Sequence, residues 1–233
     1  MDGSAAEGSA AEGLRNALAQ SLLLACVDTA LMESLLPHWQ RRRYRMGQVM
    51  LHGDVMPDGV LLIQVGRARV LGQRLADPGV TTLELLEPGD LVGWQGICRG
   101  VPCEQIRAST ELEAWWLESA LFADLLERCS ALSDWCDQQI GAAELHRLLV
   151  ALVQREPSRL DLLQSWPQIL EDAVVVRAED MSALPENRLW LASSSGRWIG
   201  VRPPADHSSS VIRREVSEQL VELETLDQVD YAV

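Results

Sequence analysis

Residues 83–93 read LELLEPGDLVG, and this stretch decides the fold. It joins a short apolar run to a Pro-Gly-Asp turn, in which glycine supplies a positive φ and the aspartate side chain bonds nearby backbone. A related run, GQVMLHGD, occupies residues 47–54. Between the two, residues 60–70 read VLLIQVGRARV, which is two strand-like segments broken by Gly66. Short strands separated by closely spaced turns predict a small antiparallel barrel.

These three segments resemble the cyclic nucleotide-binding domain family, the sensor domain of Crp/Fnr-type proteins. That family has a Gly-Asp segment, an Ile-x-x-Gly-x-x-x-Val hairpin and a phosphate-binding cassette, Leu-x-Pro-Gly-Asp-x-x-Gly-Glu. Residues 86–94 follow the cassette pattern except at its last position. The resemblance covers residues 20–140 and implies an α+β fold, with an antiparallel β-roll or jelly-roll barrel flanked by helices.

The positions that bind the nucleotide in that family are changed here. The acidic residue that meets the ribose 2′-hydroxyl is replaced by Trp94, and the arginine that pairs with the cyclic phosphate is replaced by Pro102. A buried phosphate without that cation lacks a charge-assisted hydrogen bond of roughly 1.5 to 3 kcal/mol. Glu104 would repel it further, whereas Arg99 in the same loop is a cation that can turn inward. Strand alternation points Arg107 away from the buried side.

The resemblance therefore implies a degenerate cassette, used either as a scaffold or as an altered pocket. Trp94 is expected to fill the place of the ribose, and the alternative is that it stacks on a different planar ligand. No catalytic residue, metal site or cofactor is predicted, and a cyclic nucleotide is kept as an alternative ligand. The candidate pocket residues lie in the cassette and the loop after it: Gly89, Asp90, Gly93, Trp94, Arg99 and Glu104.

Charge argues against nucleic acid as a partner. The 20 basic residues are all arginine and face 34 acidic residues, for a net charge of −14, so phosphate backbones repel the chain. The one tight basic cluster, RRRYR at residues 41–45, begins the predicted first strand, where pairing with carboxylates is expected and an anion or partner contact is the alternative. A Crp-like regulator would continue into a helix-turn-helix, but residues 156–187 hold two arginines against seven acidic residues.

Catalytic, metal and targeting signals are missing from the sequence. No nucleophile elbow, phosphate-binding loop, zinc-protease or kinase signature occurs, which predicts a non-catalytic protein. The sequence also lacks a secretory signal and an apolar run of about 18 residues that would cross a membrane. The cysteines lack zinc spacing, so reduced thiols in a cytoplasmic protein are expected, with a bridge between Cys98 and Cys103 as the alternative under oxidation. The five cysteines are Cys26, Cys98, Cys103, Cys129 and Cys136.

Five segments are predicted along the chain. They are a flexible leader (1–13), the cyclic-nucleotide-binding-like domain (14–140), a connecting helix (141–157), a small α+β module (158–202) and an acidic tail or linker (203–233). The leader repeats a Gly-Ser-Ala-Ala-Glu unit that has no bulky side chain to offset the entropy of ordering.

Helix and hairpin signals refine this division. Asp28 is a predicted N-cap of the second helix. The apolar face of the helix near 141–155 implies, by the resemblance, a homodimer contact, and packing within its own chain is the alternative. In the small module a β-hairpin is predicted, and if Ala192 lies opposite Arg197, Trp190 lies opposite Ile199.

These observations predict a non-catalytic regulatory or protein-interaction module built on a cyclic-nucleotide-binding-like domain, with a protein partner. Domains of this kind occur in channels, kinases, transcription factors and ABC-type exporters. The resemblance therefore implies the cytosolic regulatory part, or an adaptor, of a larger transport or signalling assembly. One alternative is a genuine small-molecule or cyclic-nucleotide sensor with an altered pocket. The other is a Crp-like transcription regulator.

Overall fold

The computed structural model describes residues 3–75, 79–177, 188–194 and 196–202. The chain divides into two compact units, residues 1–147 and residues 148–233. The predicted acidic tail, including the helix expected near 211–226, lies outside the described residues. Within those residues, no helix combines the length and the apolar character needed to cross a bilayer.

Two antiparallel four-stranded sheets form the barrel of the first unit, which confirms the predicted α+β fold. One sheet has the order β1-β8-β3-β6 and the other the order β2-β7-β4-β5. The strands of this unit among the described residues are β1 (Gln40–Tyr44), β2 (Val49–Leu51), β3 (Gly59–Val65), β4 (Ala68–Gln73), β5 (Val80–Leu86), β6 (Leu91–Val92), β7 (Gln105–Ala108) and β8 (Leu112–Glu118).

Strand β3 is apolar on both faces because it separates two cores. Successive side chains of a strand point to opposite sides of the sheet. Leu61 and Ile63 accordingly belong to the cluster inside the roll, whereas Val60 and Leu62 belong to the cluster shared with the helices. The sheet that contains β3 is therefore buried between the roll interior and a helical layer.

The helices beginning in the first unit are α1 (Gly3–Gln20), α2 (Thr29–Leu35), α3 (Trp94–Arg99), α4 (Ser119–Arg128), α5 (Ser130–Gln138) and α6 (Ala142–Arg155). Asp28 caps α2, because its side chain accepts hydrogen bonds from the N–H groups of Ala30 and Leu31 at 2.8 and 3.3 Å, as predicted. Helix α1 begins at Gly3, so the repeat that was expected to be a flexible leader lies in its first turns. Alanine has the highest helix propensity of all residues, and Leu14 and Leu18 anchor the helix in the helical core.

The arginines of β1 alternate between two surroundings. Arg41 and Arg43 both pair with Glu113 of β8, the Arg43 contact measuring 2.9 Å. Arg42 points the other way, with its guanidinium 4.0 Å from the centre of the Trp116 ring. The cluster is therefore a strand whose arginines pair with carboxylates and an aromatic ring of its own chain, which confirms the expected pairing.

The second unit holds α7 (Leu160–Gln164), α8 (Trp166–Asp172) and an antiparallel sheet of β9 (Val174–Arg177), β10 (Leu189–Ser194) and β11 (Arg197–Val201). The predicted hairpin is present, but an irregularity in β10 shifts its register, so that Trp190 lies opposite Gly200 rather than Ile199. A Cβ at Gly200 would stand 2.5 Å from the Trp190 ring. The absence of a side chain at Gly200 is what makes room for the indole.

The apolar face of α6, on which the homodimer expectation rested, is not exposed. Leu145 and Leu149 are both fully buried in the single chain. The homodimer contact through this helix and its packing against the barrel both stay predictions.

Candidate functional site

The turn that precedes β6 uses two of the candidate residues for its own structure. Gly89 has a φ of 99° and donates its N–H to the carbonyl of Ile63 at 2.9 Å. The side chain of Asp90 accepts a hydrogen bond from the N–H of Glu87 at 2.7 Å. Gly89 and Asp90 therefore build the turn that leads the chain into the cassette.

The short helix α3 is bounded by two glycines in the left-handed region. Gly93 precedes it with a φ of 88°, and Gly100 follows it with a φ of 67°. A Cβ at Gly93 would stand 2.7 Å from the carbonyl oxygen of Gly59. A Cβ at Gly96 would stand 2.9 Å from the Pro57 ring. The backbone of the cassette thus packs closely against Gly59 and Pro57. Its N–H groups lie at the start of α3.

The side chain that meets these N–H groups belongs to Glu104, in the loop between α3 and β7. It is 6% exposed, and its carboxyl group interacts with the backbone N–H groups of Gly96, Gly93 and Gln95. Burial raises the pKa of Glu104 to about 7, although the nearby N–H groups act in the opposite direction and lower it. The chain thus supplies an internal acceptor to the cassette backbone. The sequence placed Glu104 nearby as a repulsive charge, and its role as hydrogen-bond acceptor was missed.

A small cleft lies beside Glu104. The space between its lining atoms, including the part open to solvent, is about 170 Å³. None of its lining residues is an arginine. They are Leu51, His52, Val55, Pro57, Gly96, Cys103 and Glu104.

Trp94 does not line this cleft. Its indole is 6% exposed in the helical core and lies 5.5 Å from the ring of Trp135 in α5, at an interplanar angle of 57°. Both expectations for Trp94, filling the pocket and stacking on a ligand, are therefore corrected. A large apolar ring buries more area between helices than in a narrow cleft beside a carboxylate.

Arg99 is also turned away from the cleft. Its side chain is 1% exposed and donates hydrogen bonds to the carbonyl oxygens of Cys136 and Gln139, at 2.8 and 2.9 Å. Its Nε donates to Glu144 at 3.3 Å. A cation is well placed at the last carbonyls of α5, because the C-terminal end of a helix carries partial negative charge. The expected inward turn toward a phosphate is therefore replaced by a structural role between α5 and α6.

The remaining positions near the cassette hold no buried cation. The carbonyl of Pro102, at the place of the missing arginine, accepts a hydrogen bond from Arg147 at 2.9 Å. Arg107 is exposed, whereas Ile106 and Ala108 on either side are buried, as strand alternation predicted. Of the six candidates, Gly93 and Glu104 meet at the cassette, Trp94 and Arg99 lie on its helical side, and Gly89 and Asp90 form the preceding turn.

Comparison with known protein families gives a match to part of the chain. Residues 41–129 match the family model of the cyclic nucleotide-binding domain. No curated protein matches the chain. Similar solved structures include the regulatory subunit of a cAMP-independent protein kinase A from Trypanosoma brucei, at 15% identity and a TM-score of 0.45, covering 48% of this chain and 42% of that one.

Two further solved structures are similar to this chain. A triple mutant of the same subunit, bound to cAMP in its A site, has 15% identity and a TM-score of 0.49, covering 58% of this chain and 52% of that one. A cyclic nucleotide-binding domain from Methylobacillus flagellatus KT has 18% identity and a TM-score of 0.45, covering 70% of this chain and 84% of that one. The chain thus spans about half the length of the trypanosome subunit, 42% in one structure and 52% in the other.

Proposed function

We propose that this chain, which carries a domain of the cyclic nucleotide-binding family at residues 41–129, is a non-catalytic regulatory or protein-interaction module that works without a cyclic nucleotide. One observation carries the proposal. The buried carboxyl group of Glu104 lies against the N–H groups of Gly93, Gln95 and Gly96, which the cassette would otherwise offer to a phosphate, and its Oε2 has no hydrogen-bond partner among the described residues.

Electrostatics disfavour exchange of this internal group for a cyclic phosphate. Above its pKa of about 7, the Glu104 carboxylate would repel a phosphate about 4 Å away by about 4 kcal/mol at an effective dielectric constant of about 20. The cleft has no arginine among its lining residues to offset that repulsion, and Arg99 is committed to Glu144 and to the end of α5. A nucleotide would have to displace Glu104 from the N–H groups of the cassette.

A module of this kind acts through protein contacts. We assign it to the cytosolic regulatory part, or to an adaptor, of a larger transport or signalling assembly, such as an ABC-type exporter. The acidic segment 203–233 is the proposed docking segment. The five cysteines are free thiols, which fits a reducing, cytoplasmic compartment.

Titration of the full chain with cAMP and with cGMP tests the proposal. Tryptophan fluorescence and the thermal midpoint are followed up to millimolar nucleotide, and no saturable change is expected. Glu104→Ala, which opens the cassette N–H groups, is expected to bind measurably more tightly than the wild type, whereas Glu118→Gln, at an exposed carboxylate of β8, is expected to behave as the wild type. A saturable change of the wild type at micromolar nucleotide would favour the sensor alternative and overturn the proposal.

A further inference from the structure

Two thiols meet on the helical side of the cassette. Cys98 lies in α3, one residue before Arg99, and Cys136 lies in the last turn of α5. Both belong to the helical core, where their side chains interact with each other. The backbone around them is also tied together, because Arg99 donates to the carbonyl of Cys136 at 2.8 Å. This hydrogen bond joins α3 to α5, although Arg99 and Cys136 are 37 residues apart in the sequence.

The two thiols differ in a way that suits sequential oxidation. Cys98 is half-buried, whereas Cys136 is only 1% exposed. The hydrogen bond from Cys136 lowers the pKa of Cys98, and the neighbouring Arg99 charge lowers it further. The same hydrogen bond and burial raise the pKa of Cys136. Cys98 is therefore the more nucleophilic sulfur at neutral pH, with a protonated thiol directly beside it.

We infer that Cys98 and Cys136 form a peroxide-sensitive thiol pair, which closes to a disulfide between the cassette helix α3 and the helix α5. In the first step the Cys98 thiolate attacks one oxygen of hydrogen peroxide. An S–O bond forms, the O–O bond breaks, and the leaving hydroxide is protonated to water, so that Cys98 becomes a sulfenic acid. In the second step the Cys136 sulfur attacks the Cys98 sulfur. An S–S bond forms, the S–O bond breaks, and the hydroxide leaves as water with the proton of the Cys136 thiol. Two thiols lose two electrons and one peroxide becomes two waters.

The structure distinguishes this pair from the other cysteines. Cys103, the partner that spacing along the chain offered for Cys98, is buried beside Glu104, and burial raises its pKa, so its thiol stays protonated. At the opposite end of α5, Cys129 donates to the carbonyl of Cys26 at 3.7 Å. Burial and the nearby Cys129 raise the pKa of Cys26, which keeps that thiol protonated as well.

The inference does not depend on the proposed function, since it needs only the contact between the two helices. Its consequence is that oxidation fixes the helix that carries the cassette N–H groups to α5. Oxidation would thus change the freedom of the helical side without any nucleotide.

Peptide mapping of the full reduced chain after treatment with stoichiometric hydrogen peroxide tests the inference. Remaining thiols are alkylated, and the digest is analysed by mass spectrometry without reduction. The expected product is a linked peptide pair containing Cys98 and Cys136, two hydrogens lighter than the sum of its parts. Cys98 is also expected to be alkylated roughly tenfold faster than Cys103 in the untreated protein. A link between Cys98 and Cys103, or peroxide-treated protein in which Cys98 remains unlinked, would overturn the inference.

Two variants test the pairing of Cys98 with Cys136 further. In Cys136→Ser, Cys98 is expected to accumulate as a sulfenic acid that dimedone traps, with no disulfide. Cys26→Ser removes the exposed thiol at the other end of α5 and is expected to keep the linkage of the wild type. Loss of the linkage in Cys26→Ser would contradict the assignment. Should Cys136→Ser fail to fold, the mapping of the wild type still decides.

Discussion

Replacing Glu104 with glutamine is expected to change how the stability of the protein depends on pH. The pKa of Glu104 is raised from 4.5 to about 7 in the folded state, chiefly by burial. Between these two values the folded protein binds more protons than the unfolded chain, so the free energy of unfolding falls as pH rises. Below pH 4.5 the burial of Glu104 does not lower the free energy of unfolding, and above pH 7 it lowers this free energy by the full amount. A pKa shift of this size corresponds to a change of about 3 kcal/mol in the free energy of unfolding.

The assay is urea unfolding of the wild type and Glu104→Gln at several pH values between 4.5 and 8. The variant is expected to gain about 3 kcal/mol relative to the wild type across this range, because its neutral amide does not ionise. The groups that face Glu104, namely Glu84, His52 and Cys103, are present in both proteins. Glu84 and Cys103 interact with the Glu104 charge, so the difference between the two proteins measures Glu104 together with these interactions. A difference that stays constant with pH, or one that moves against the variant as pH rises, would refute the reasoning. Glu118→Gln controls for the same chemical change on the surface.

Two further substitutions test the framework around the cassette. Arg99→Ala removes the cation that faces the buried Glu144 carboxylate, and urea unfolding is expected to show a loss of about 3 to 5 kcal/mol, part of which Arg99→Lys restores. A loss below about 1 kcal/mol would contradict the structural role of Arg99. Gly93→Ala places a Cβ 2.7 Å from the carbonyl of Gly59 at a φ of 88°, whereas Gly47→Ala, at a φ of 82°, meets nothing within 4 Å. Gly47→Ala is expected to lower the stability by about 1 to 2 kcal/mol, because only backbone strain opposes it. Thermal unfolding is expected to show a larger loss of stability for Gly93→Ala. Equal losses for the two variants would contradict the close packing of the cassette.

The barrel could be predicted from the sequence because its signals are local. Glycine and aspartate at turns, and apolar residues between them, mark each strand without knowledge of its partners. Asp28 is a local signal of the same kind, since a cap bonds N–H groups only two and three residues away. The alternation of Arg41, Arg42 and Arg43 likewise follows from strand geometry alone.

The candidate site was predicted less completely, because its arrangement depends on contacts distant in the sequence. The cassette pattern locates Trp94 and Arg99, but the sides they face are set by α5 and α6, through Trp135 and Glu144. The contact between Cys98 and Cys136 has no signal in spacing for the same reason. In the hairpin, the irregularity in β10 shifts the register by one residue, which strand alternation cannot foresee.

The most direct test of an occupied, nucleotide-free cassette is a crystal structure of the full chain grown with saturating cAMP. We expect an unliganded cassette, with the Glu104 carboxyl group against the N–H groups of Gly93 and Gly96 and the Arg99 guanidinium at the end of α5. A cyclic phosphate on those N–H groups, with Glu104 displaced into solvent, would contradict it.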